Sequence, residues 1–284
     1  AAPSLRRVRV LQDALSISKV EQRISDHLDA ADLISLNSLR QGLMGPLNQV
    51  GCAHNDEPVP RFLDPEESLS YHVALVSYPR SGNSLVRRML EKITGIVTGS
   101  DTRPDRTLSR ALKAMGMKGE GIVDGRVHIV KSHYPERHGY QKFKADKVIV
   151  LVRNPFDAIE SYFNLGFTNT HTETLHDDAY QWLAPVWEAL APNELEVWAA
   201  FHRWWAGRGV PRLTLRYEDL RADPRAALRR ASAFLLGLPG PEAIRPGMAA
   251  WDAVEQAVAS GTGGRGSGPY RPRPKQGGGG GGGG

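Results

Sequence analysis

Cysteine is almost absent: Cys52 is the single one in a chain of 284 residues. A lone thiol excludes an intrachain disulfide and any zinc site built on several cysteines. No Asn-x-Ser/Thr acceptor for N-glycosylation occurs. No apolar run approaches the ~18 residues that a membrane span needs. The first residues, Ala1 to Arg7, are not followed by the hydrophobic stretch of a signal peptide. An initiating Met is missing as well, so the chain reads as a fragment with room for an anchor upstream. No His/Asp/Glu cluster with metal-ligand spacing stands out, and no metal is expected.

What remains is ordinary for a globular α/β protein: 40% hydrophobic and 24% charged residues, with a net charge of +5. The mild basic excess suits an anionic ligand and equally a solvated surface rich in arginine. Three regions are expected. Residues 1–70 form a helical extension, with Val20, Ile24, Leu28, Ile34 and Leu39 on one face before a proline-rich stretch. Residues 71–260 form the main domain. Residues 261–284, rich in Gly, Pro and Arg, form a flexible tail.

Within the main domain, four runs read as buried strands: 73–78, 127–131, 147–152 and 212–217. Their near-continuous apolar character suits a parallel sheet covered on both faces. Helical patterns occupy 84–92, 155–164, 193–205 and 224–235. The alternation predicts an α/β fold, a three-layer parallel sheet flanked by helices. In the third helix Val197, Phe201, Trp204 and Trp205 form a stripe read as core packing.

The most informative segment runs Tyr78-Pro79-Arg80-Ser81-Gly82-Asn83-Ser84-Leu85. A strand ends, a glycine turn follows and a helix begins. The free amides and dipole of a helix start favour an anion. Gly82 permits close backbone approach, Asn83 and Ser84 can cap the helix or donate to a phosphate, and Arg80 carries a permanent charge. Any α/β unit can begin this way, and the loop lacks the Gly-x4-Gly-Lys-Ser/Thr pattern of a nucleoside-triphosphate cradle. A second strand ends at Arg153, with Asn154 and Pro155 suited to start a helix that carries Ser161. An ion pair of Arg153 with Asp157 is the competing reading. A third strand end carries Lys131 and His133, where α/β enzymes place functional groups.

These segments resemble those of the sulfotransferase family. The loop 78–84 is similar to the family's 5′-phosphosulfate loop, with Leu85 where the family has Trp. Arg153 and Ser161 resemble its 3′-phosphate pair, and Lys131-Ser132-His133-Tyr134-Pro135 its Lys-Thr-His-Leu-Pro segment. Tyr217-Glu218-Asp219-Leu220 resembles a strand end whose Tyr lies near the adenine, although Tyr217 reads equally as core. Thr98–Asp101 and Met117–Glu120 resemble the sulfotransferase domains found alongside WSC carbohydrate-binding modules.

The resemblance implies a P-loop-NTPase-like sulfotransferase fold and 3′-phosphoadenosine 5′-phosphosulfate as co-substrate. It implies that Arg80, Ser81, Gly82, Asn83, Ser84 and Leu85 line the 5′ end, that Arg153 and Ser161 hold the 3′-phosphate, and that Tyr217 borders the base. Lys131 would assist the leaving oxygen, and His133 would take the acceptor's proton with a pKa near working pH. The family closes over the 3′-phosphate with a late basic-glycine loop, for which Arg265 and Gly266 are the candidates. A sulfate acceptor, carbohydrate, protein or small molecule, is the expected partner, and no nucleic acid. The missing N-glycosylation sequence favours the cytoplasm, and an upstream anchor would favour the Golgi lumen. Oligomeric state stays open. Competing readings are an ATP-dependent phosphotransferase and a non-catalytic nucleotide- or glycan-binding protein on the same scaffold.

Overall fold

The structure, a computed structural model, describes residues 59–68, 72–168, 175 and 177–261. Five parallel strands form the sheet: β1 (His72–Ser77), β2 (Gly99–Ser100), β3 (Ile129–Ser132), β4 (Ala145–Val152) and β5 (Arg212–Arg216), in the order β2-β3-β1-β4-β5. Among the described residues seven α-helices accompany them: α1 (Asn83–Thr94), α2 (Thr107–Ala114), α3 (Pro155–Thr168), α4 (Asp177–Ala206), α5 (Tyr217–Ala222), α6 (Pro224–Leu235) and α7 (Ala249–Gly261).

Side chains alternate across a strand, so each strand feeds two cores. Val73 and Leu75 of β1, with Ile149 and Leu151 of β4, face α1, α6 and α7. Ala74 and Val76, with Val148 and Val150, face α3 and α4. This is the expected three-layer α/β arrangement. Both faces are covered, which explains the unbroken apolar runs of β1 and β4.

The helices differ more from expectation. α4 continues through Pro185 and Pro192, where the sequence pattern predicts helix only from Asn193. A proline inside a helix costs about 3 kcal/mol. Leu183, Leu190, Val197 and Phe201 are all buried on the sheet side of α4, and each contributes about 1.5–3 kcal/mol. Their burial outweighs the prolines. The predicted stripe is packing: Val197 and Phe201 are buried, and Trp205 packs beside them.

β1 is central, and β3 and β4 lie on its two sides. The chain therefore reverses direction across the sheet at β1, and the crevice beyond the strand ends at such a point is where α/β folds bind ligands. At the opposite flank, Arg61 bridges to Ile96 and Leu63 is buried, so residues 59–68 lie against the domain. Residues 1–58 and the expected tail from Thr262, including Arg265 and Gly266, lie outside the described residues.

Candidate active site

The loop after β1 makes two left-handed turns: Arg80 has φ 65° and Gly82, the N-cap of α1, φ 93°. Gly82 is required on steric grounds also. A Cβ there would lie 2.5 Å from Cδ2 of Tyr217. Tyr217, the first residue of α5, thus closes against the bare backbone of the loop. Its ring also lies under the Arg153 guanidinium, 4.9 Å away, a distance at which the ring face attracts a cation.

Arg153 follows the end of β4 and donates from Nη1 to the carbonyl of Arg80 at 2.7 Å. Arg80 in turn donates from Nε to Ser161 Oγ at 3.0 Å. Four predicted residues, from the loop after β1, the end of β4, the second turn of α3 and the start of α5, therefore meet in one corner. Arg153 does not turn toward Asp157; its partners lie on the loop and on α5. Asn154 caps α3 as expected, its Oδ1 accepting from Phe156 N at 3.0 Å.

The loop's own side chains divide. Ser84 borders the cleft. Asn83 borders it too, but its amide turns inward to Ser77 Oγ (3.1 Å) and to the Leu75 carbonyl (3.3 Å), fixing the loop to β1. Ser81 is fully buried, with its Oγ lacking a partner. Leu85 packs against the core under α1.

Lys131 lies in β3 and His133 just beyond it. His133 Nδ1 is 2.7 Å from the Ser77 carbonyl. A carbonyl only accepts, so Nδ1 carries the proton and Nε2 keeps the lone pair. Burial pushes the ring well below the usual imidazole range, and Lys131 and Arg137 add to the effect. The ring titrates lower than the sequence expectation and is neutral through the physiological range, the form a base requires. It is backed by Tyr134, whose carbonyl accepts from Trp205 Nε1 at 2.9 Å and whose ring meets Trp204 edge-on.

Lys131 donates to Thr102 Oγ1 at 2.9 Å. Burial lowers its pKa and Arg87 pulls the same way, whereas Glu120 and Asp101 oppose them. Arg87 is wholly buried and pairs with Glu120, itself wholly buried. It also holds Thr98 through Oγ1 (2.8 Å) and the carbonyl (2.9 Å). Burial alone would raise the Glu120 carboxyl, but Arg87 and Lys131 outweigh it and hold it low.

A cleft of about 900 Å³ opens over these groups. Arg80, Gly82, Asn83, Ser84, Lys131 and His133 line it, and Arg153, Ser161 and Tyr217 do not. Asp101, Thr102, the start of α2, Arg137 and Tyr140 line it as well. The last group was not legible as site residues, because β2 has two residues and no apolar run to announce it. The segments Thr98–Asp101 and Met117–Glu120 were the available signal: Ser100 and Glu120 form a bridge beside Lys131.

The match to known sequences covers residues 70–246, by the description "Sulfotransferase domain". The chain belongs to the sulfotransferase domain family. Curated relatives include a WSCD family member of Drosophila melanogaster, 30% identical over 60% of this chain and 51% of its own length. A second, from Aedes aegypti, is 31% identical over 57% of this chain and 49% of its own. Their names agree with the sub-family resemblance. The chain spans about half the length of these relatives. Among solved structures it is similar to mouse sulfotransferase SULT7A1 complexed with PAP, at 18% identity and a TM-score of 0.41, over 69% of this chain and 65% of that one.

Within this family frame the corner formed by Arg80, Arg153, Ser161 and Tyr217 has the chemistry of an anion site. It holds two permanent charges, a hydroxyl and a helix start, and Arg153 Nε is buried without a partner. A phosphate oxygen would satisfy that donor. These residues fit a phosphate group.

Proposed function

We propose that this domain transfers a sulfuryl group from 3′-phosphoadenosine 5′-phosphosulfate to a hydroxyl or amine on an acceptor. The observation that carries the reading is that Arg80 is bonded to both Arg153 and Ser161 and itself lines the cleft that Lys131 and His133 also line. A second phosphate on the ribose distinguishes this donor from ordinary adenosine nucleotides, and a separate pair of cationic and hydroxyl groups suits it.

The bound donor supplies the activated sulfuryl group. Arg153 and Ser161 hold the 3′-phosphate, and Tyr217 fixes Arg153. The α1 amides, Arg80 and Ser84 hold the 5′ end, where fixed dipoles and charges favour developing negative charge. Lys131 is placed to stabilise and protonate the leaving oxygen. His133, with Nδ1 fixed on the Ser77 carbonyl, accepts the acceptor's proton at Nε2. The acceptor enters from the Thr102 to Tyr140 end.

The test uses donor labelled in its sulfuryl group, offered with glycan, peptide and phenol acceptors. Label should pass to at least one acceptor class and stay on the donor with Lys131→Ala. Label remaining on the donor throughout, with magnesium-dependent ATP turnover instead, would contradict the reading.

A further inference from the structure

Resting on that reading of the cleft, we propose that Asp101 and Thr102, just beyond β2, are positioning residues that aim the Lys131 ammonium and hold its charge inside the fold. Lys131 is only 8% exposed. A buried ammonium tends to give up its proton unless fixed partners compensate. A neutral amine could not protonate a leaving oxygen.

The geometry supplies both functions. Thr102 Oγ1 accepts from Lys131 Nζ at 2.9 Å. Thr102 is itself fixed, since its amide donates to the buried Ser100 Oγ at 3.1 Å. Asp101 is tied at both ends of its peptide: its amide donates to the Lys131 carbonyl at 3.1 Å, and its own carbonyl accepts from Tyr140 N at 2.6 Å. Its carboxyl accepts from the Ser132 side chain. Gly139 closes over it so tightly that a Cβ there would lie 2.6 Å from Asp101 Oδ2. The carboxylate is therefore held from β2, β3 and the loop after β3 together.

Four charged groups act on the Lys131 amine from neighbouring elements. Arg87 from α1 and Arg137 from the loop after β3 disfavour its charge, and Glu120 and Asp101 favour it. His133 is also near, and is neutral. Glu120 is already bonded to Arg87, so Asp101 supplies the second negative charge. Burial raises the Asp101 carboxyl to about 6. Its support for Lys131 is present above that pH and fades below it.

The experiment reads the amine directly. The chain is labelled with ¹⁵N-lysine, and the Lys131 Nζ resonance is assigned by its loss in Lys131→Arg. Asp101→Asn keeps the shape and the Ser132 contact but removes the charge. It should move the Lys131 titration down by about one pH unit or more. Thr102→Val should lower kcat about tenfold with donor KM within about twofold, and Thr102→Ser should restore it. A Lys131 titration unmoved in a folded Asp101→Asn protein, or a Thr102→Val kcat equal to wild type, would overturn the proposal. If wild type turns over no donor at all, the functional reading fails, while the amine titration still decides the Asp101 role.

Discussion

Arg80 Nε reaches Ser161 Oγ at 3.0 Å, joining the loop before α1 to the second turn of α3. The residues are far apart in sequence and belong to two separate motifs. Their contact makes one anion corner out of what the sequence presents as two. Arg153 completes it by binding the Arg80 carbonyl, at the residue whose φ of 65° is costly for a non-glycine.

Gly82 should tolerate no side chain. At φ 93° a Cβ is strained, and it would also meet Tyr217. Gly82→Ala is expected to destabilise by about 1–3 kcal/mol and to weaken nucleotide binding by displacing Tyr217 from Arg153. Urea unfolding of a double-mutant cycle with Tyr217→Ala checks this, because the penalty should shrink once the ring is gone. Equal penalties in both backgrounds would show that the ring contact is unimportant.

The Arg87–Glu120 pair should be a stability element of the cleft floor. Arg87→Ala leaves the buried Glu120 carboxylate without its ion partner and removes the donors that Arg87 gives Thr98. The expected loss is about 3–5 kcal/mol, which lowers the melting temperature by roughly 10 °C at this size. Arg87→Ala with Glu120→Leu should recover part of it. Calorimetry on the three proteins decides; an Arg87→Ala protein as stable as wild type would contradict the account.

His133→Ala should separate chemistry from binding. The nucleotide corner does not include His133, so affinity for adenosine 3′,5′-bisphosphate should stay unchanged while kcat falls about 10²- to 10⁴-fold. The depressed pKa places the acid limb of wild-type kcat below the imidazole range. Activity should be flat from about pH 6.5 upward until another group titrates, and the acid limb should vanish in the variant. A steep rise between pH 6.5 and 7.5 would mean that a different group carries the proton.

His202 gives a pH test of stability away from the chemistry. Burial lowers its pKa from 6.5 to about 4, and both ring nitrogens lack partners. Between those values the unfolded chain binds more protons than the folded one, so the native state loses stability as pH falls from 6.5 toward 4. His202→Phe removes this term. The stability of wild type relative to the variant should therefore decline on acidification. Asp101 and Glu194, raised to about 6 and about 7 by burial, act with the opposite sign but cancel in the difference. A difference independent of pH would contradict a buried neutral ring.

The sheet was legible because buried parallel strands are apolar on both faces: four of five were found, with ends within two residues. β2 was not, since two residues carry no periodicity. α7 was not among the expected helices although Ala250, Ala253, Val254, Ala257 and Val258 follow a helical face; its side chains are small and give only a weak apolar stripe. In the site, motifs named the nucleotide corner, Lys131 and His133. They did not name Asp101, Thr102 or Arg137, which act only through β2–β3 pairing and the return of the loop after β3. Leu85, expected at the ligand, is half-buried and packs against the core beside α1.

The central claim is that Arg153 and Ser161, beside Arg80, recognise a ribose 3′-phosphate. Titration calorimetry with adenosine 3′,5′-bisphosphate and with AMP, on wild type and Arg153→Ala, tests it without knowledge of the acceptor. A charge-assisted bond to phosphate contributes about 1.5–3 kcal/mol, so the bisphosphate should bind wild type at least about tenfold more tightly than AMP, and Arg153→Ala should erase most of that margin. Equal affinity for the two nucleotides in wild type would contradict the claim.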